Sequence, residues 1–530
     1  MLKLPLSRRA FLASTTALVA ANMVGFSPDL MAATPKSGGT LRLAVNETID
    51  TFDPFTTNAT IVRTMHSHIF ESLYTYDGKY GLIPELAAGH SVSDDGKVWT
   101  FTIIEGARFH DGSVLEAEDV AATWARFMKI SPRAATLGGN VTSVKAAGKD
   151  SVVFEFSSDP GPFLEKISTP HSAFKILPRA IAQAAMDRPL EDGEIIGTGP
   201  FLLKAWKRGE SLTMGRFDDY RVDERYTGAD GLGGRRTAHV DEVVWTFISE
   251  AGAQEAGLKT DRFDFADNVP IEMRGSLEST AGYSGTVVKP LNWLNMMVNH
   301  HNPPLDDVRI RRAIQIGIDQ ALVMVGTIGD PDLIRLSPGL AFEEQVWFSR
   351  AGDQYYNKNA KDEARKLISD AGYANQEIVL MTTRTISNLY KSAVIIQQEL
   401  QGLGLNVRLE VLDWGALLAH VSKDELRPKW HLSSMEHSIR HDPYGWDLNF
   451  RTDKWTPYAN PAMDAALDKI ARLRDFGQRK EAFETVQTIF HEDVVNIKCG
   501  DYFAWHAHRS HVKGYKNFNG YVFWDVWLDA

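Results

Sequence analysis

The chain has 530 residues, of which 44% are hydrophobic and 10% aromatic, and its formal net charge is −11. This length is too great for one ordinary core and predicts roughly two to four domains. The apolar content excludes a largely disordered protein, and the negative charge argues against nucleic acid and anionic membrane surfaces as partners.

The amino terminus has the pattern of a cleavable export signal. Arg8-Arg9 precedes a small-apolar run from Ala13 to Phe26, and small residues follow up to Ala33. The run is too short to cross a bilayer as a helix, which needs about 20 apolar residues. Arg8-Arg9 before Phe-Leu resembles a twin-arginine signal, and the alternative is an ordinary secretory signal. We predict that residues 1–33 are an export signal and that the mature protein is periplasmic and soluble.

Cysteine usage agrees with that prediction. Cys499 is the only cysteine, so no intramolecular disulfide is possible. A large periplasmic protein with a sufficient core does not need one. Because no cysteine stands at the predicted cleavage site, we expect no lipid anchor.

The first half of the chain predicts extended elements separated by glycine turns. Residues 40–45 and 99–104 alternate polar and apolar side chains, which is typical of half-buried strands. A helix is predicted from Ala117 through Phe127, because acids occupy its first turn, where the helix dipole favours them. Further strands are predicted at 151–156 and within 197–203, whose glycines lack the spacing of a phosphate-binding loop.

The clearest local pattern spans Asn359 to Trp414. Apolar residues at helical spacing predict helices over 360–371 and 390–403. Between and after them, short apolar or alternating runs predict strands at 378–381 and 407–411. Strand, helix and strand at this spacing form a βαβ unit, whose strands are parallel and whose crossover is right-handed.

Polar and aromatic residues are concentrated around the next predicted strand, Trp430–Met435. The segment 430–446 holds three histidines, an arginine, an aspartate and three aromatic residues. In open α/β sheets, ligands bind outside the carboxyl ends of the strands. We therefore expect residues 436–446 to lie at a ligand crevice, together with Thr383-Arg384 and Asp413-Trp414.

Short motifs that extend from residue 38 to the end of the chain occur in a recognisable order. They are Gly38-Gly39-Thr40-Leu41-Arg42, Phe52-Asp53-Pro54, Pro84-Glu85-Leu86-Ala87, Ser93-Asp94-Asp95-Gly96, Phe109-His110-Asp111-Gly112, Ala117-Glu118-Asp119-Val120, Gly197-Thr198-Gly199-Pro200-Phe201, Pro304-Leu305-Asp306-Asp307-Val308-Arg309, Val512-Lys513-Gly514-Tyr515 and Trp527-Leu528. In this order they resemble the dipeptide- and oligopeptide-binding family of extracellular solute-binding proteins, the capture subunits of ABC importers.

The resemblance implies an α/β periplasmic-binding-protein fold, in which two α/β lobes are joined by two crossing strands and close on a ligand like a hinge. It implies an N-terminal lobe of residues 34–288 and 500–530, with an extra subdomain at 51–190, and a C-terminal ligand-binding lobe of residues 289–499. It also implies a peptide or similar small amine-bearing ligand and an ABC permease in the inner membrane as partners. We expect a monomer without a cofactor.

In peptide binders of this family, an aspartate before a proline binds the amino terminus of the ligand, and Asp442-Pro443 aligns with that loop. A carboxylate compensates an α-ammonium that loses hydration in a closed cleft. We therefore predict that Asp442 is the ligand anchor, and the alternative is that it only begins a turn. Arg440 and His441 depart from the family, which often has small or acidic residues there. They suit an anionic group of the ligand or an internal salt bridge with Asp442.

Four further residues are predicted to contact the ligand. Trp414 and Trp446 either stack on it or pack the interior of the lobe. Arg384 either binds a ligand carboxylate through its planar fork or is solvated. Asn46 is predicted to lie on the opposite wall, by analogy with the family.

Other classes of function have weaker support. His437 and His441 stand four residues apart, so a metal-chelate (nickel-type) ligand stays open, as does an opine or sugar conjugate. We predict no bound metal. The chain contains no GxSxG or HExxH motif and no Cys–His pairing, so we predict no catalytic residues. An exported hydrolase is the alternative from another class.

Overall fold

The computed structural model describes residues 34–57, 59–170, 174–452, 454–518 and 520–529. The predicted export signal at residues 1–33 lies outside these residues. Residues 36–530 form one compact unit.

The strands are short in the first half of the chain, and the two longest come later. They are β1 Thr40–Val45, β2 Tyr74–Tyr76, β3 Leu82–Pro84, β4 Ala87–Val92, β5 Val98–Ile103, β6 Val141–Ala146, β7 Ser151–Phe156, β8 Phe201–Lys207, β9 Ser211–Arg216, β10 Ala229–Asp230, β11 Gly233–Gly234, β12 Glu242–Phe247, β13 Phe265–Ala266, β14 Tyr283–Val298, β15 Ile334–Arg335, β16 Ile378–Thr382, β17 Val407–Val411, β18 Leu432–Ser438, β19 Asn496–Arg509, β20 Val512–Lys513, β21 Lys516–Asn517, β22 Tyr521–Val522 and β23 Trp527–Leu528.

The α-helices alternate with these strands along most of the chain. They are α1 Thr60–Ile69, α2 Ala117–Ile130, α3 Ala134–Gly138, α4 Phe163–Ser168, α5 Arg179–Ala184, α6 Ala251–Lys259, α7 Arg274–Glu278, α8 Val308–Gly317, α9 Gln320–Ile328, α10 Lys361–Asp370, α11 Ser387–Gly402, α12 Trp414–Ser422, α13 Asp447–Phe450, α14 Pro461–Arg472 and α15 Phe476–Glu492.

One large sheet runs through the molecule, in the order β17-β16-β18-β14-β19-β13-β1-β12-β9-β8. The parallel pairing of β16 with β17 places Ile378 opposite Val407, as the βαβ unit predicts. β18 is also parallel to β16, with Leu380 opposite Leu432. The carboxyl ends of these three strands therefore meet at the same edge.

Two long antiparallel strands, β14 and β19, occupy the centre of this sheet. The first part of β14 pairs with residues 504–509, and a register shift separates it from the second part, which starts at Asn292. The second part pairs with β18 on its other side. On its far side, β19 pairs with β13. Both strands thus connect the half of the sheet built from β1, β12 and β13 with the half built from β16, β17 and β18.

The predicted elements are confirmed, with differences at their ends. β1, β7 and β17 have the predicted bounds, and the helix predicted from Ala117 continues to Ile130. β18 begins and ends later than the predicted strand 430–435. The physical reason is its pairing with β14, which continues as far as Ser438 opposite Asn292.

Separate hydrophobic clusters lie on the two halves of the sheet. One joins side chains of β1 and β12 to those of the four-stranded sheet β4-β5-β7-β6, and Val512, Phe523 and Val526 from the end of the chain belong to it. A second packs α8 and α11 on β16, and it includes the buried thiol of Cys499 in β19. The lobe and subdomain boundaries given above remain a prediction.

The lengths and hydropathy of the helices bear on membrane association. Within the described ranges, no helix combines the length and the apolar character that crossing a membrane requires.

Candidate functional site

A cavity of about 700 Å³ lies between two stretches of the chain that are far apart in sequence. One wall consists of Pro132, Arg133, Thr136, Leu137 and Thr169. The other wall consists of side chains from 414–418 and 435–449, with Trp455. A cavity of this size is in the range that holds small ligands.

The second wall forms at the carboxyl edge of the sheet. β18 supplies Met435, Glu436 and His437, and the loop that follows supplies Arg440, His441 and Asp442. A short 3₁₀ helix, Pro443–Trp446, then turns the chain back. Pro443 suits its first position because the missing N–H would be unsatisfied there in any case. The ligand crevice predicted for residues 436–446 therefore coincides with the wall of a cavity.

Asp442 is 3% exposed and lines the cavity. Its Oδ1 accepts hydrogen bonds from the backbone N–H of Tyr444 at 2.9 Å and from Nη2 of Arg479 at 2.5 Å. Its Oδ2 is buried and has no hydrogen-bond partner among the described residues. A buried acceptor without a donor is costly, so this oxygen is available for a donor from a ligand.

The salt-bridge partner of Asp442 is Arg479 in α15, and Arg440 and His441 are not its partners. The guanidinium of Arg479 is fully buried and also contacts Glu165 of α4 through Nη1 at 2.9 Å. One guanidinium thus faces two carboxylates. Burial and the charge of Asp442 together raise the pKa of Glu165 to about 7, against the opposing effect of Arg479.

Arg440 points its guanidinium along the cavity wall. Its Cζ lies 5.3 Å from the ring centroid of Trp446, in a cation–π arrangement. Gly445 permits this position, because a Cβ added there would stand 3.0 Å from Cδ of Arg440. Burial lowers the pKa of Arg440, and the nearby hydroxyl of Tyr444 opposes that shift.

Glu436 lines the cavity but is already hydrogen bonded. It accepts a hydrogen bond from the hydroxyl of Tyr502 in β19, which in turn accepts one from Nδ2 of Asn292 at 2.9 Å. Burial raises the pKa of Glu436, and the Tyr502 hydrogen bond opposes the shift.

The two histidines of the segment that line the cavity, His437 and His441, are buried and neutral. Burial lowers the pKa of His437 and of His441 to about 3, and the charge of Arg440 adds to the effect in both. His437 lies on a strand and His441 in a loop, so they do not share a helical face. Within the part of the chain that the structure describes, no group of three or more His, Cys, Asp or Glu side chains is placed to hold a metal ion.

The structure brings some of the predicted residues together and separates others. Trp414, Arg440, His441 and Asp442 line the cavity. Trp446 does not line it. It is 2% exposed and stacks on the ring of Phe450 at 5.2 Å, so it supports Arg440 from behind.

Arg384 and Asn46 also lie outside the cavity lining. Arg384 is exposed, and its Nη2 donates to the hydroxyl of Tyr390 at 3.2 Å. Asn46 is exposed, and its backbone N–H donates to the carboxylate of Asp267 at 3.0 Å. Their predicted contacts with a ligand remain predictions, and the first wall consists instead of residues 132–137 and Thr169.

Sequence reasoning missed Arg133, Thr169 and Arg479. Arg133 follows a Ser-Pro pair before a short helix, a pattern with no ligand-binding signature. Arg479 lies on a helix 37 residues after Asp442. Only the alternative of an internal salt bridge at Asp442, left open above, pointed to such a partner.

Comparisons with known proteins identify the family of this chain. The model of the family described as "Bacterial extracellular solute-binding proteins, family 5 Middle" matches residues 81–451. A probable peptide ABC transporter periplasmic-binding protein of Sinorhizobium fredii is 26% identical over 404 residues, which cover 72% of each chain. The glutathione-binding protein GsiB of Salmonella paratyphi A is 23% identical over 466 residues, covering 84% of this chain and 86% of GsiB.

Among solved structures, the ABC transporter substrate-binding protein CtaP of Listeria monocytogenes has the same fold. It superposes with a TM-score of 0.81 at 20% identity, over 93% of this chain and 100% of CtaP. The two-lobe α/β fold expected from the motifs is therefore confirmed. The family model covers more than half of the chain, which therefore belongs to the bacterial extracellular solute-binding proteins of family 5, the substrate-binding components of ABC importers.

Proposed function

We propose that this protein binds a short peptide, or a similar small amine-bearing solute, in the cavity bordered by Asp442. The observation that carries the proposal is the Oδ2 atom of Asp442, which is buried at the cavity and lacks a donor among the described residues. Oδ1 already accepts hydrogen bonds from Arg479 and Tyr444, so the carboxylate is held in a fixed orientation. A ligand ammonium supplies both the missing donor and an opposite charge.

The rest of the cavity supports a ligand with an apolar part and a few polar contacts. Trp414, Leu418 and Met435 provide apolar surface. His437 is neutral, and its buried Nε2 has no hydrogen-bond partner within the described ranges. The relatives named for peptide transport and for glutathione binding support the peptide class.

The test is isothermal calorimetry with di- to tetrapeptides and with their N-acetylated forms, which lack the ammonium. We expect the free peptides to bind at least about 30-fold more tightly, because leaving one member of a buried charge pair unpaired costs about 2–5 kcal/mol. Asp442→Asn is expected to remove this difference. Asp219→Asn, at an exposed aspartate outside the cavity with no ion pair within the described residues, is the matched control.

Equal affinities for free and acetylated peptides in the wild-type protein would refute the anchor. Unchanged affinity of the Asp442→Asn variant would leave Asp442 as a turn residue only. The melting temperatures of the wild-type protein and of both variants are measured first, so that a loss of affinity is not mistaken for a loss of folding.

Three further points concern the export of the protein, its oligomeric state and the fate of its ligand. We propose that residues 1–33 direct export, that the mature protein is a periplasmic monomer, and that it delivers its ligand to an inner-membrane ABC permease. It is expected to return the ligand chemically unaltered. Fractionation of cells, light scattering of the purified protein and mass analysis of the ligand after incubation test these points in turn.

A further inference from the structure

The charge of the ligand can be inferred from the basic residues near the cavity. Arg133 and Arg440 line the cavity, and Arg63 in α1 borders a smaller neighbouring cavity of about 20 Å³. Burial and the charges of Arg133 and Arg440 lower the pKa of Arg63 to about 10, and the charge of Glu47 opposes that shift. Three guanidiniums from separate parts of the chain therefore converge on one region.

The charge of Arg440 is not compensated by any described residue. Its guanidinium makes no hydrogen bond or salt bridge within the described ranges, and it lies over the ring of Trp446. Its backbone carbonyl accepts a hydrogen bond from Nε2 of Gln345 at 2.6 Å, which fixes the chain at this point. A cation fixed against an aromatic ring at a cavity wall is positioned for an anion.

Arg63 is also without a carboxylate partner among the residues described. Its Nη2 donates to Oγ1 of Thr60 at 3.0 Å, whereas its Nε and Nη1 are buried without an acceptor there. Burying an uncompensated guanidinium is costly, so a nearby anion lowers the free energy of the closed cavity.

The carboxylates that line the cavity do not neutralise these arginines. Asp442 is paired with Arg479, and Glu436 is hydrogen bonded by Tyr502. The carboxylate of Glu165 is bound to the guanidinium of Arg479 as well. Positive charge therefore remains at Arg63 and Arg440 after the internal pairs are counted.

We infer, on the basis of the proposed function, that the ligand is net negative. It carries one ammonium for Asp442 and at least two carboxylates, of which one binds at Arg440 beside Arg133. The planar guanidinium of Arg440 binds a carboxylate through two parallel hydrogen bonds, and the charge of Arg63 strengthens the local potential. Acidic short peptides and non-peptide amino dicarboxylates share this chemistry.

The test compares ligands that differ only in one carboxylate. The peptides are Ala-Glu-Ala and Ala-Gln-Ala, and the non-peptide pair is N-(1-carboxyethyl)alanine and its monoamide, N-(1-carboxyethyl)alaninamide. We expect calorimetry on the wild-type protein to give about ten-fold or greater preference for the acidic member, the usual effect of a charge-assisted hydrogen bond.

Two substitutions locate the preference. Arg440→Gln is expected to reduce it to about three-fold or less, and Arg440→Lys, which keeps the charge, is expected to retain part of it. The matched control is Arg262→Gln, at an exposed arginine that stacks on Phe263 outside the cavity, and it is expected to leave the preference unchanged.

The outcomes separate the two proposals. Equal affinities within each pair would overturn the net-negative ligand and leave the peptide proposal standing. Binding of the acidic non-peptide compound, with no binding of either peptide, would overturn the peptide proposal alone. Absence of binding by all four compounds would overturn both. A preference that survives in Arg440→Gln would overturn the assignment to Arg440.

Discussion

Two groups of charged residues reach the cavity, one through Asp442 and the other through Arg440, and they differ in how their charge is balanced. Glu165, Asp442 and Arg479 form a network in which one guanidinium serves two carboxylates, and Oδ2 of Asp442 has no donor among the described residues. Arg63 and Arg440 form no salt bridge with any residue that the structure describes. The first network joins α4 to α15 and stabilises the protein. The second retains positive charge that no described residue balances through a salt bridge.

Replacing one arginine of each group by methionine gives the largest predicted difference in stability. Arg479→Met leaves two buried carboxylates without their cation, and breaking a buried pair in this way costs about 3–5 kcal/mol of the free energy of unfolding. Arg440→Met removes a cation that has no salt bridge among the described residues, so the free energy of unfolding of the ligand-free protein is expected to change by less than about 1 kcal/mol. Urea denaturation of both variants measures the contrast. Similar losses of stability in the two variants would contradict the difference in charge balance between Arg479 and Arg440.

The protonation of Glu165 gives a smaller, pH-dependent effect. Its pKa is raised from 4.5 to about 7, so between these values the folded protein keeps a proton that the unfolded chain has lost. Its contribution to stability is therefore greatest at low pH and declines as the pH rises through about 7. We expect the stability of wild type relative to Glu165→Gln to fall by about 1–3 kcal/mol between pH 5 and pH 8.

Urea denaturation at both pH values measures this difference. The buried histidines change stability in the opposite direction, because their lowered pKa values favour the neutral form in the folded state. They are present in both proteins and cancel in the comparison. A constant difference across the pH range would show that Glu165 is ionised throughout.

Gly445→Ala gives the smallest predicted effect on ligand affinity, and it acts through the side chain of Arg440. The added Cβ would stand 3.0 Å from Cδ of Arg440 and displace that side chain by a few tenths of an ångström. We expect the preference for the acidic tripeptide to fall about three-fold, with stability changed by less than about 1 kcal/mol. Calorimetry measures the preference. The control is Gly402→Ala, where an added Cβ meets no atom within 4 Å, and an equal loss there would contradict the explanation.

The sequence was informative where the pattern is local. The parallel strands at 378–382 and 407–411 follow from apolar spacing, and the rule for carboxyl ends of strands correctly placed residues 436–442 at a cavity. Trp446 was ambiguous, because a tryptophan in a loop suits a ligand face and a core equally well. Its stacking on Phe450 one helical turn later became evident only in three dimensions.

The rest of the site depends on contacts between distant segments. Arg133 and Thr169 reach the cavity from parts of the chain 309 and 273 residues before Asp442, and no periodicity of the sequence predicts that approach. The pairing of Asp442 with Arg479 depends on how α15 packs, since many arginines on helices are solvated. Arg440 and His441 are next to Asp442 in sequence and were the expected salt-bridge partners. The salt bridge of Asp442 is formed with Arg479.

Chemical labelling of the single cysteine can report local opening of the central sheet. Cys499 is buried on β19, and burial raises the pKa of its thiol to about 12. Alkylating reagents attack the thiolate, so modification requires the central strand of the large sheet to separate from its neighbours. A ligand that binds only the closed protein slows alkylation in proportion to its occupancy. The labelling rate of the unmodified chain is therefore a direct assay for ligands of any chemistry.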